Sequence, residues 1–131
     1  MPKIQASLHL PGITSGFVTL DFLVDSGASD SCIHPQDARG RLGISDSMLS
    51  SSRLWPSIRS TRGVGGSSMS YRHPAVYGFL HDDGNLQQIE GDIDVAQPTP
   101  ANATFPSLLG WDILRYFRIE LDYVGLSVTL R

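Results

Sequence analysis

The chain has 131 residues, 40% hydrophobic and 18% charged, with a formal net charge of −3; such a chain suits one domain with a real core and excludes a disordered one. No basic footprint calls for nucleic acid, and no run approaches the ~20 apolar residues of a membrane-spanning helix. Cys32 is the sole cysteine, which excludes an intrachain disulfide and a Cys-based metal site.

The opening MPKIQASLHL has neither the apolar stretch nor the cleavage signature of a signal peptide, so a cytoplasmic location is expected. Thirteen Gly and eight Pro point to many turns and a β-rich fold. The alternation of Ile4, Ala6, Leu8 and Leu10 predicts a strand, broken by Pro11-Gly12. Phe17 to Val24 predicts a second strand with Val18, Leu20, Phe22 and Val24 on one face. A tight turn, Asp25-Ser26-Gly27, follows, then a short apolar-leaning stretch from Ser31 to Ile33. Pro35 to Leu42 suits a short helix with Pro in its first turn and Gly43 as its stop.

Ser45 to Ser60 is serine-rich and weakly patterned, and reads as a loop pinned by Leu54 and Trp55. A glycine cluster, Gly63-Val64-Gly65-Gly66, comes next. Tyr71 to Leu80 predicts a strand, placed at a sheet edge because Pro74 lies inside it. Asp82-Asp83-Gly84-Asn85 predicts a hairpin turn into a returning strand, Leu86 to Val95. Gln97 to Pro106 is a proline-punctuated loop before a short strand ending at Gly110. Trp111 to Phe117 predicts a short helix, with Asp112 favourably placed near its positive end. Arg118 to Asp122 and Leu126 to Leu130 predict a closing hairpin.

The segment Phe22-Leu23-Val24-Asp25-Ser26-Gly27-Ala28-Ser29 delivers one carboxylate from a core strand into a small-residue turn. Alone, an Asp-Ser-Gly turn after a strand is an ordinary β-turn. Here it stands in order with the glycine cluster at residues 63–66 and with Leu108-Leu109-Gly110-Trp111-Asp112-Ile113-Leu114. The set resembles the catalytic loop, flap and loop-supporting element of retropepsin-like aspartic proteases. The resemblance runs from Ile4 to Leu130 and is closer to bacterial and cellular members than to viral ones.

That resemblance implies an all-β, single-lobe acid-protease barrel with one or two short helices, one domain over residues 1–131, working as a homodimer. Asp25 would be the catalytic acid/base, in an aspartic endopeptidase site shared between two subunits. Ser26 would brace the loop against its partner, Gly27 would leave the cleft open, and Ala28 would pack beneath the carboxylate. Gly63, Val64, Gly65 and Gly66 would form a flap over an extended peptide substrate. No cofactor or metal is implied. Viral members carry an acidic residue where Ser29 stands and an arginine where Trp111 stands; here the ion pair is absent and Trp111 is expected to pack instead. Asp30 is open to either a contact with substrate backbone or a solvated surface position. The alternative function is the same fold without turnover, as a dimerisation or peptide-binding module.

Other candidates are weaker. His9, His34, His73 and His81 lack ligand spacing. Asp82-Asp83 and Asp92 with Asp94 suit hairpin and strand-surface roles better than a cation site. Ser26 lacks the elbow pattern of a serine nucleophile. Cys32 reads as core rather than as a reactive thiol.

Overall fold

A computed structural model of the chain describes residues 2–51, 55–63, 66–122 and 124–131. Nine strands and three short helices are described: β1 Lys3–His9, β2 Val18–Val24, β3 Cys32–Ile33, α1 Pro35–Gly40, α2 Asp46–Leu49, β4 Ser57–Gly63, β5 Gly66–Leu80, β6 Leu86–Ala96, β7 Ser107–Leu109, α3 Trp111–Leu114, β8 Ile119–Asp122 and β9 Ser127–Leu130. Six strands close into a barrel in the order β1-β2-β7-β3-β6-β5, with β5 returning to β1. Closure removes the open edges that would otherwise invite pairing with other chains. The interior is filled from alternating positions by Leu8, Leu20, Phe22, Ile33, Tyr77, Ile93 and Leu109.

The path of β7 decides where the site lies. It pairs parallel to β2 (Val24 opposite Leu109) and antiparallel to β3 (Cys32 opposite Leu108). The link from β2 to β3, residues 25–31, therefore spans the end of β7. The residues that leave β7, Gly110 to Asp112, rise directly beneath that link.

Two expectations give way. Ser45 to Ser60 is not a loop throughout. Ser45 caps α2 by accepting the Met48 N–H, and Leu49 is wholly buried. Strand β4 pairs along its whole length with β5, Ser57 opposite Arg72 through Gly63 opposite Gly66. Its partner lies on one side only, and Ile58 is exposed, so backbone pairing makes it a strand without any apolar alternation to announce it. Trp55 does pin this region: it is buried, stacks on Tyr71 and donates its indole N–H to the Met48 carbonyl. Leu54 lies outside the described residues.

The second concerns β5, which begins at Gly66 rather than Tyr71 and is no edge strand. It pairs with β6 along most of its length; its other side pairs with β4 up to Arg72 and with β1 from Val76. Pro74 sits in the interval between those two partners, where a missing N–H costs no ladder bond on that side. The remaining turns fall as expected. Gly84 (φ +88°) turns the β5–β6 hairpin. Helix α1 ends at Gly40, short of the expected Leu42, with Arg41 as its C-cap, and Gly43 (φ +68°) follows in the link to α2. Helix α3 stops at Leu114, short of Phe117. The closing hairpin β8–β9 forms a separate two-stranded sheet, and its tip exposes Leu121, Val124 and Leu126.

Candidate active site

Asp25 lies just past the end of β2, half-buried, in the turn expected from its sequence. Its backbone N–H donates to the Leu109 carbonyl at 3.1 Å, which continues the β2–β7 pairing by one step. The Gly27 N–H donates to Asp25 Oδ1 at 2.9 Å, and the Ala28 N–H to the Asp25 carbonyl at 3.2 Å. These bonds wrap the turn around the carboxylate. Ser26 and Gly27 are exposed and Ala28 is half-buried, so the turn faces outward from the barrel.

The turn is held from below by residues far away in the chain. Trp111 donates its backbone N–H to the Ala28 carbonyl at 2.9 Å, and Asp112 donates its own to Ser29 at 3.0 Å. Gly110 donates to Ser31 Oγ at 3.0 Å. A Cβ on Gly110 would meet the Ala28 oxygen and Asp30 carbon at 2.8 Å and the Asp30 nitrogen at 2.9 Å, all backbone atoms that cannot swing aside. Glycine is required there by close approach, not by an unusual dihedral. The Asp112 carboxylate accepts from both the N–H and the hydroxyl of buried Ser31. Its value at the start of α3 is thus a tertiary anchor rather than a helix-dipole contact.

Trp111 does more than pack. It is 45% exposed, and its indole N–H donates to the Ser26 carbonyl at 2.6 Å. Sequence reading placed it beside the loop but could not supply this bond.

Asp30 is neither free nor isolated. Its carboxylate meets Arg59 at 3.2 Å and Arg72 at 3.6 Å. The same two guanidiniums reach Asp94, Arg72 at 3.2 Å and Arg59 at 3.4 Å, while Arg72 also lies 3.8 Å from Asp92. Arg59 is on β4 and Arg72 on β5, so the base of that hairpin is tied electrostatically to the turn carrying Asp25. Burial raises Asp94 above the ordinary carboxylate range, opposed by the two arginines. Asp92 and Asp94 are thereby partnered by cations of the protein itself. Of the glycine cluster, Gly63 and Gly66 are the last pair of the β4–β5 ladder. Val64 and Gly65, expected in a flap over substrate, lie outside the described residues.

Cys32 is half-buried rather than part of the fully buried core. Burial, followed by the nearby Asp94 charge, pushes Cys32 up to about 12. His34 Nε2 stands 4.0 Å from its sulfur, but burial lowers that imidazole, and its Nδ1–H donates to the Pro106 carbonyl at 2.7 Å. Neither group is poised to activate the other. Among the described residues, no group of three His, Cys, Asp or Glu side chains converges as a metal site, and no helix is long and apolar enough to cross a membrane.

The chemistry available at the turn is that of one accessible carboxylate, oriented by a backbone N–H and borne on a rigidly supported loop. No protein-family model matches the chain, and no curated protein matches it.

Proposed function

We propose that the protein is an aspartic endopeptidase of the retropepsin-like kind, active as a homodimer that sets two Asp25 carboxylates face to face. The observation that carries this reading is the Asp25 turn, closed around its carboxylate and braced from beneath by Gly110, Trp111 and Asp112. A surface turn with no task for its carboxylate would not need support drawn from the far end of the chain. The β4–β5 hairpin, whose base is joined to Asp30 through Arg59 and Arg72, suits a flap over substrate.

One chain brings one such carboxylate, so the pair needs a second copy on a two-fold axis. The apolar residues at the tip of β8–β9 suit an interface between copies. The two carboxylates hold one proton between them and one water. The ionised member takes a proton from the water as it attacks the scissile carbonyl. The protonated member donates to the carbonyl oxygen and stabilises the tetrahedral intermediate. Substrate lies extended and pairs its backbone like an added strand.

The test is cleavage of casein at acid and neutral pH by the wild type and by Asp25→Asn. Hydrolysis by the wild type and less than about a hundredth of it in the variant supports the reading. Mixing the wild type with excess Asp25→Ala chains should then depress activity well below that of the wild type alone. Activity that tracks only the amount of wild-type chain would falsify the shared site. A wild type that dimerises and binds peptide without cleaving it would instead be a binding module.

A further inference from the structure

The Ser26–Gly27 peptide group is hydrogen-bonded at both ends. Its carbonyl accepts the Trp111 indole N–H at 2.6 Å, and its N–H donates to Asp25 Oδ1 at 2.9 Å. A trans peptide is planar and holds its C=O and N–H in opposite directions. Whatever fixes the carbonyl therefore fixes the N–H that meets the carboxylate. We infer that Trp111 is a positioning residue, orienting the Asp25 carboxylate through the Ser26–Gly27 peptide.

Two observations and one general property of hydrogen bonds carry this. Trp111 is 45% exposed, so burial alone does not fix its placement. Its own backbone is fixed, because the Trp111 N–H donates to the Ala28 carbonyl at 2.9 Å and Gly110 before it lies against the turn. One residue thus holds the carbonyls on both sides of Gly27. Last, hydrogen bonds in series polarise one another: a donor on the carbonyl strengthens donation by the N–H of the same peptide. The indole therefore sets both the direction and the strength of the bond to Asp25. The kinetic consequence rests on the aspartic-protease reading; the geometric one does not.

The experiment removes the indole N–H in two ways. Trp111→Phe keeps an aromatic ring. Replacement by benzothienylalanine exchanges the N–H for sulfur at nearly unchanged shape, and decides the matter if the Phe variant folds poorly. The first readout is the Gly27 amide proton resonance. In the wild type the hydrogen bond to Asp25 should hold it downfield; without the indole donor this response should shrink markedly, toward the resonance seen in Asp25→Ala. The second is kinetic: kcat should fall roughly tenfold while KM changes little. A variant with lowered thermal stability but an unchanged Gly27 response overturns the inference and leaves Trp111 a structural residue. So does an unchanged kcat in an active enzyme. If the wild type cleaves nothing, the protease reading fails, and the Gly27 response alone still decides the role of Trp111.

Discussion

Asp112 and Ser31 stand 81 positions apart and are joined by three hydrogen bonds: the Ser31 N–H to both carboxylate oxygens, at 3.1 and 3.0 Å, and its hydroxyl to Oδ1 at 2.7 Å. Ser31 is fully buried, so these bonds satisfy groups that water does not reach. Asp112→Ala should destabilise the fold by about 2 kcal/mol, because it strands a buried N–H and hydroxyl. Urea denaturation measures this. A double-mutant cycle with Ser31→Ala should give a coupling of about 1 kcal/mol or more. Additive effects would mean that the two residues act separately.

Gly110→Ala should cost about 2 kcal/mol or more, since the new methyl would overlap backbone on three sides. In a chain of this size that lowers the melting temperature by roughly 8 °C. Gly16→Ala is the control: nothing lies within 4 Å of a Cβ built there. Equal melting temperatures for the two variants would contradict the close approach.

Cys32 should resist modification in the native protein. Its thiol, pushed up to about 12, carries almost no thiolate at pH 8. Ellman's reagent should find no reactive thiol until guanidinium is added, and then one per chain. Rapid labelling of the folded protein would show that the sulfur is accessible and ionised.

The pH dependence of stability should include a contribution from Asp94. Burial raises its folded-state value above the unfolded 3.8, so the folded chain binds the proton more tightly than the unfolded chain. The linked stability is full below 3.8 and is lost as pH rises through the folded-state value. Comparing thermal melts with Asp94→Asn isolates it. The wild type should lose stability relative to the variant as pH rises from about 3 toward neutrality. A difference that stays flat over that range, or grows, would mean that Arg59 and Arg72 outweigh burial.

Much of the barrel was legible in the chain. Apolar alternation marked β1, β2 and β6 because each lays one face on the core, and a period of two records that burial directly. Turn chemistry at Gly84 marked the β5–β6 hairpin, where the backbone takes a positive φ. Strand β4 left no such trace, since it is paired along one side and exposes Ser57, Ile58 and Ser60. Helix α2 was missed although Ser45 followed by Asp46 is a helix-start pattern, because the serine-rich surroundings masked the cap.

The sequence by itself determined the Asp25 turn: a core-facing strand, then Ser-Gly-Ala, leaves the carboxylate no place but the head of a tight bend. It also placed the glycine cluster and the Leu108–Leu114 element in order along the chain. Only the tertiary structure decided what surrounds that carboxylate. The insertion of β7 between β2 and β3 brings Gly110, Trp111 and Asp112 beneath residues 26–31, and the β4–β5 ribbon carries Arg59 and Arg72 to Asp30. Local pattern reports which face of an element is buried. It carries no record of which distant element supplies the contact, because that follows from the route of the chain through the closed barrel.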